Sequence, residues 1–178
     1  MLLFVGASAL DPGLTGPAGW AQVGADSAVS MSSSVWMQTA TAGSAGSSVD
    51  VGFATATKSA LTLVVYRDAA GTLAPGAIAS ATASNVDTHV APVVDAPSGA
   101  WVISYWSDKS SWTTGWNLPV DQTQRAIALG GGSGRITSAL VDSADRVPVP
   151  GPAGGVTATT DTVSTRSIAW TVALSPAP

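Results

Sequence analysis

Several residue types are missing or scarce in this chain of 178 residues. It has no cysteine, which excludes both a disulfide framework and a thiolate metal site. It has no glutamate and only two lysines, and charged residues make up 10% of it, against roughly 25% in typical soluble domains. Glu and Lys favour helices, whereas Ser, Thr, Asp and Gly do not. The composition therefore argues against helices along the whole chain.

Charge and hydropathy exclude two further classes of protein. The net charge is −4 and there is no basic run, so the electrostatic footprint of a nucleic-acid-binding protein is missing. No stretch approaches 18 consecutive apolar residues, so membrane insertion is not expected. The apolar start, Met1–Leu10, lacks a positively charged region and is cut short by Asp11-Pro12-Gly13. We interpret it as a buried strand rather than a signal peptide.

Short β-favouring runs between Gly, Pro, Asp, Asn and Ser cover most of the chain. The strongest is Ala60–Arg67, which is apolar on both faces and predicts a central strand with Leu61, Leu63 and Val65 on one face. The other predicted strands are Leu2–Ala9, Trp20–Gly24, Val29–Gln38, Val49–Thr57, Ala77–Ser84, Ala100–Ser107, Gln122–Leu129, Arg135–Asp142, Val156–Thr160 and Ser167–Leu174. The fold class is therefore all-β: an antiparallel, jelly-roll-like β-sandwich of about eight to ten strands. Residues 1–174 form a single domain in this interpretation, and residues 175–178 a linker or tail.

An aromatic segment after Trp101 is the main candidate site. Exposed aromatic rings on a rigid β scaffold stack on sugar rings, and nearby polar side chains, including Lys109, bind the hydroxyls. The candidate ligand-binding residues are Tyr105, Trp106, Asp108, Trp112, Trp116 and Asn117. The alternative is packing, with Trp101 and Trp106 on opposite faces of one strand while Trp112 and Trp116 cap the sandwich.

The remaining titratable residues give no pattern of a catalytic centre. His89, the only histidine, has no cysteine to complete a zinc site and no Gly-x-Ser-x-Gly turn to pair with, so we interpret it as an exposed loop residue. The aspartates mostly lie at turn signals, and no spacing selects a glycosidase pair. Asp142 and Asp145 are a candidate calcium site, although they lack the EF-hand pattern. No catalytic residue and no cofactor are expected.

The segment Trp101–Trp116 is distinctive in combination with Leu61–Arg67, Gly134–Ser138 and Gly151–Gly155. Together they resemble a β-sandwich domain of high-GC Gram-positive bacteria and their phages. That domain occurs beside PKD-like modules in secreted proteins and in minor tail proteins. The same order of segments extends from Leu2 to Leu174. The resemblance implies a sandwich fold and a secreted or virion location, and it supplies no catalytic or binding residue.

One departure from that family concerns the first strand. Family members usually carry one or two further strands before the segment that corresponds to Leu2–Val5, whereas this chain begins inside it. A sandwich without that strand would expose a sheet edge. We expect either that an upstream segment is missing or that a neighbouring chain supplies a strand.

Two functions follow as expectations. The first is a non-catalytic structural or interaction module of a secreted or virion surface assembly, similar to a phage tail or capsid-decoration component. It would contact other protein subunits and form a homo-oligomer. The alternative is a carbohydrate-binding or host-adhesion module that binds a cell-surface glycan through the loop from Trp106 to Trp116.

Overall fold

The computed structural model describes residues 1–68 and 72–176. Within these ranges the chain forms fourteen β-strands and one 3-10 turn at Ala42–Ser44. The strands are β1 Leu2–Ala7, β2 Leu14–Thr15, β3 Ala21–Ala28, β4 Met31–Met37, β5 Gly52–Phe53, β6 Ser59–Val64, β7 Leu73–Val90, β8 Val93–Ala96, β9 Trp101–Ser110, β10 Trp116–Asn117, β11 Gln122–Leu129, β12 Arg135–Ser143, β13 Gly151–Gly154 and β14 Thr157–Pro176. In the described residues, no helix is long and apolar enough to cross a membrane.

The strands form two packed sheets in which all neighbours are antiparallel. The first sheet has the order β3-β4-β1-β6, and the second has the order β7-β14-β9-β12-β11, with β10 paired to the start of β14. The predicted all-β sandwich is confirmed. The jelly-roll detail is not confirmed, because the first half of the chain builds one sheet and the second half builds the other.

The core lies between the two sheets and follows the period-2 alternation of the strands. Phe4 of the first sheet stacks on Tyr105 of the second, with ring centroids 4.7 Å apart. The indole N–H of Trp170 donates to the Ser33 hydroxyl at 3.0 Å across the same interface. Gly24 lies against that indole, and a Cβ there would come within 2.7 Å of the ring. Only glycine therefore lets β3 approach this closely.

Each sheet also carries a cover on its outer face. The short pair β2-β5 packs over Leu3, Val5 and Trp36 of the first sheet. The pair β8-β13 packs over Val102 and Ala173 of the second sheet. The segment 111–121, which includes β10, covers a further part of the second sheet.

The prediction that β6 is a central strand is wrong. This strand lies at the edge of the first sheet and not at its centre. Leu61 and Leu63, together with Val65 just after the strand, point outwards, while Ala60 and Thr62 are buried. Alternation identified the two faces of this run correctly, and the face with Ala60, Thr62 and Val64 is the one that meets the core.

The first strand also differs from expectation. The segment predicted as a buried strand does form β1, and all six of its residues are buried. However, β1 pairs with β4 on one side and with β6 on the other. The edge expected beside β1 is therefore filled from within the chain, and the edges of this sheet are β3 and β6.

Several strand boundaries differ as well. Ala77–Ser84 is part of the 18-residue β7, and the two strands predicted near the end of the chain join into the 20-residue β14. That strand continues through Pro176 and so includes the first two residues of the segment 175–178 that was predicted as a linker or tail. Residues 177 and 178 lie outside the described residues. The run 29–38 was predicted to be half-buried, but both faces of β4 are buried.

Candidate functional site

The candidate ligand-binding residues of β9 lie on two opposite faces of the second sheet. Tyr105 points into the core between the sheets, where burial raises the pKa of its hydroxyl to about 12. Trp106 points to the outer face of the same strand and is also fully buried. Trp101 and Trp106 therefore lie on opposite faces of β9, as the packing alternative predicted. Neither Tyr105 nor Trp106 is accessible to a sugar.

The segment 111–121 places its two tryptophans differently. Trp116 folds back onto the sheet, where it packs with Trp106 and lies 5.2 Å from the His89 ring. Trp112 points away from the protein and is 74% exposed. Asn117 is exposed beside Thr159, to whose hydroxyl its amide donates at 3.4 Å. Two of the six candidate residues, Trp112 and Asn117, are thus on the surface.

The same segment is fastened to the start of β14. The backbone N–H of Thr114 donates to Asp161 at 2.9 Å. The Thr114 hydroxyl also donates to that carboxylate, and this bond is the main cause that holds the pKa of Asp161 below its ordinary value. The Asp161 N–H in turn donates to the Gly115 carbonyl at 3.3 Å. These contacts hold the cover over the outer face of the second sheet.

Beneath this cover, Asp108 is the centre of a buried hydrogen-bond network. Its Oδ2 accepts from the hydroxyls of Thr113 and Ser164, each at 2.7 Å. Its Oδ1 accepts from the Thr137 hydroxyl, which also accepts from the indole N–H of Trp116 at 2.8 Å. A buried carboxylate needs such donors because its charge is costly to remove from water. Asp108 was predicted to face a ligand, but it is fully buried and bound by hydroxyls of this chain.

The prediction that His89 is an exposed loop residue is wrong. His89 lies in β7, is buried, and joins the network of Asp108. Its Nδ1 is 2.9 Å from the Ser167 hydroxyl, and its Nε2 is 3.2 Å from Thr160 and 3.3 Å from Ser164.

The neighbouring hydroxyls decide where His89 carries its proton. Ser164 donates to Asp108, and Thr160 donates to the carbonyl of Thr162 at 2.7 Å. Because a hydroxyl has one proton, both oxygens can only accept from the imidazole. The proton of the neutral ring is therefore on Nε2, and Nδ1 accepts from Ser167. Burial lowers the pKa of His89 below its ordinary value, against the opposing effect of Asp108 and Asp87.

The network contains the residue types of a serine hydrolase but in a different order. In a catalytic triad the histidine lies between the carboxylate and the serine and accepts the serine proton. Here Ser164 lies between His89 and Asp108 and gives its proton to the carboxylate. The arrangement therefore holds β7, β9, β12 and β14 to the covering segment, and it does not activate Ser164 for attack.

Sequence reasoning missed this network for an identifiable reason. Its hydroxyl donors, Thr113, Thr137 and Ser164, come from distant parts of a chain in which Ser and Thr are abundant. Nothing local distinguishes them from surface residues. The one available signal was Asp108, which lies two residues after Trp106 and therefore on the same face of β9.

The two residues of the candidate calcium site, Asp142 and Asp145, differ in burial. Asp142 faces the core and accepts from Arg125 Nε at 2.8 Å, so a cation of the protein already neutralises it. Asp145 is exposed on the following loop. Across residues 1–68 and 72–176, no group of three histidine or acidic side chains could hold a metal ion.

The outer side of β6 is the other surface with a distinct chemical character. Leu61, Leu63 and Val65 are 42%, 44% and 61% exposed and form what we call the β6 stripe. Large apolar side chains that expose this fraction in a row mark contact surfaces more often than isolated ones do. The sequence run from Ser59 to Tyr66 contains no charge.

Comparison of the chain with protein-family models, with curated proteins and with solved structures gives no match. The resemblance to the β-sandwich domain of secreted proteins and phage tail proteins therefore stays a prediction, carried by the segments Leu61–Arg67 and Trp101–Trp116 among others.

Proposed function

We propose that this chain is a non-catalytic structural module of a secreted or virion surface assembly, of the phage-tail or capsid-decoration kind, and that it works through contacts with protein subunits. The observation that carries the proposal is the β6 stripe, an exposed apolar row on an open sheet edge. Such an edge offers both hydrogen-bonding groups and apolar contact to another chain.

The buried network supports the same proposal. His89 and Asp108 are the residues best suited to acid–base chemistry, and both are enclosed beneath the segment 111–121. Their hydrogen bonds hold four strands and the covering segment together, as expected of a rigid structural subunit. The low charge and the Ser/Thr-rich surface fit close packing with neighbouring subunits.

The proposal is tested by locating the chain in its source. An antibody raised against the purified protein is used for immunogold labelling of the extracellular fraction and of any particles it contains. We expect regular labelling of an assembled structure, and co-purification of the chain with it through a density gradient. Recovery of the chain only as a free species, or only inside cells, would overturn the proposal.

The alternative, a carbohydrate-binding or host-adhesion module, keeps one specific observation in its favour. Trp112 presents its ring to solvent at the tip of the covering segment, with Asn117 also exposed nearby in sequence. A glycan array separates the two functions. Binding that is lost in Trp112→Ala and kept in Leu63→Thr favours adhesion, and an array without any binding removes this alternative.

A further inference from the structure

In the described residues, the two sheets have four edge strands besides the two-residue β10, and three of them carry features that discourage pairing with another chain. β3 has a bulge between Gln22 and Gly24. β11 has a bulge between Gln124 and Ala126, at the position of the charged Arg125. Bulges and charges are devices by which natural sheets protect their edges.

The remaining two edges differ from each other. β7 contains Pro75, and its Asn85 adopts a left-handed conformation with φ of 55°, which interrupts the extended strand. β6 pairs with β1 over six consecutive residues without a register shift. It contains no proline, no glycine and no charge. Among the edges in the described residues, β6 is the one that lacks these devices.

The direction of the free backbone groups in β6 follows from its ladder with β1. The Ser8 N–H donates to the Lys58 carbonyl at 2.8 Å, so the backbone groups of Lys58 face β1. In an antiparallel ladder this direction alternates from one residue to the next. The even-numbered residues of β6 therefore bond to β1, and the N–H and C=O groups of Leu61 and Leu63 point to the open side.

The free groups and the exposed side chains thus belong to the same residues. Leu61 and Leu63 offer backbone hydrogen bonds sideways and apolar side chains outwards from the sheet. An occupant that satisfies both is an extended strand with apolar residues at alternate positions, placed next to β6. The chain itself contains such a strand in β6.

Resting on the proposed function, we propose that β6 is the self-assembly surface of this protein and that its occupant is β6 of a second copy, paired antiparallel about a two-fold axis. The two first sheets then join into one eight-stranded sheet, β3-β4-β1-β6 followed by the same strands in reverse order. A two-fold interface presents the same surface from both partners, so it must be self-complementary.

Both the free backbone groups and the exposed side chains of β6 are self-complementary. Odd-numbered residues carry the free backbone groups in each copy, so hydrogen-bonded pairs form between odd-numbered residues of the two strands. The β6 stripes of the two copies merge into one apolar row. Because Ser59–Tyr66 contains no charge, no like charges face each other across the axis along this run.

The size of the interface sets its expected strength. Six residues at about 3.4 Å each give a contact about 20 Å long. A single strand pair of that length buries less than the roughly 800 Å² per partner of a standard stable interface. We therefore expect a reversible dimer that depends on protein concentration, suited to an assembly in which many such contacts act together.

Sedimentation velocity over a concentration series tests the proposal. Leu61→Thr with Leu63→Thr keeps the strand propensity and removes the apolar row. Ile127→Thr with Leu129→Thr is the matched control, because these side chains of the bulged β11 are 37% and 53% exposed. We expect the wild type to dimerise, the β6 variant to weaken dimerisation at least tenfold, and the β11 variant to behave as the wild type.

A second measurement keeps the test valid if a variant folds poorly. The chain has no cysteine, so single variants Leu61→Cys and Leu63→Cys can be treated with a short thiol-specific cross-linker without background. We expect a covalent dimer from a β6 position and none from Ile127→Cys. A wild type that stays monomeric at millimolar concentration, or equal effects in β6 and β11, overturns the proposal.

The outcomes separate this inference from the proposed function. A monomeric chain that still labels an assembly overturns self-pairing and leaves the structural role intact. Cross-linking of Leu63→Cys to a different protein within that assembly also overturns self-pairing, and it identifies the other occupant of β6. Absence of the chain from any assembly overturns the proposed function instead.

Discussion

The outer faces of the two sheets are treated in opposite ways. On the second sheet, the segment 111–121 covers a face that contains a carboxylate, a histidine and several hydroxyls. On the first sheet, β2-β5 covers the centre, while the apolar β6 stripe is left exposed at the edge. Polar groups buried in one place and apolar groups exposed in another both carry a cost.

The two unfavourable terms are offset by different interactions. The buried network is complete within the chain, because every oxygen of Asp108 and both nitrogens of His89 have partners. Its hydrogen bonds hold the segment 111–121 in a fixed position over the sheet. The β6 stripe has no such partner in the described part of the chain. We therefore propose that another molecule covers its apolar side chains.

The largest effect is expected at the covering segment. Trp116→Ala removes a buried ring and a hydrogen-bond donor, and it should lower the free energy of unfolding by about 3–5 kcal/mol. Trp112→Ala, four residues earlier, should change it by less than about 0.5 kcal/mol because that ring is exposed. Urea unfolding followed by circular dichroism measures both. Similar losses in the two variants would show that the segment is not a cover.

A somewhat smaller effect is expected at the centre of the network. Asp108→Ala leaves the hydroxyls of Thr113, Thr137 and Ser164 without their acceptor, and it should cost about 2–3 kcal/mol. Asp145→Ala, an exposed carboxylate, is the matched control and should be close to neutral. The same unfolding measurement applies. If Asp108→Ala were as stable as Asp145→Ala, the network would not hold the cover.

The smallest effect is a dependence of stability on pH. The pKa of His89 is lower in the folded protein than in the unfolded chain because the ring is buried. Below the unfolded value of about 6.5, the unfolded chain therefore binds more protons, and stability falls as the pH falls. One proton gives a slope of at most about 1.4 kcal/mol per pH unit.

The melting temperature between pH 5 and 7 measures this slope, since ordinary aspartates titrate lower. His89→Gln removes the titrating group and should flatten the curve over that interval. A His89→Gln variant that keeps the wild-type slope would show that a different group is responsible.

Strands with clear punctuation could be predicted from the sequence. β11 was predicted with its observed bounds, and β12 to within one residue, because the glycine-rich turn 130–134 separates two alternating runs. β9 was extended by three residues beyond the predicted end. In each case local chemistry determines the element, and distant contacts only adjust its end.

The side of β6 and the position of His89 could not be predicted, for different reasons. Alternation at Leu61 and Leu63 defines two faces, but which face is inside depends on the sheet it packs against. β7, which carries His89, is rich in Ala and Ser, has no aromatic residue and contains Pro75 and Gly76, and these features weaken the strand signal that its β-branched residues give. It is held by pairing with β14, more than 60 residues later, which no local pattern records.

The hydrogen bond from Trp170 to Ser33 spans 137 residues and has a consequence for synthesis. The inner face of the first sheet, with Leu2, Phe4 and Val35, is made early, whereas its packing partners in β9 and β12 come later and those in β14 last. At about 5–20 residues per second, translation needs roughly 7–27 s to cover that separation. During this interval an apolar face and the open edge of β6 are both exposed on the ribosome. The nascent chain therefore keeps part of its apolar surface exposed until its last strand is made.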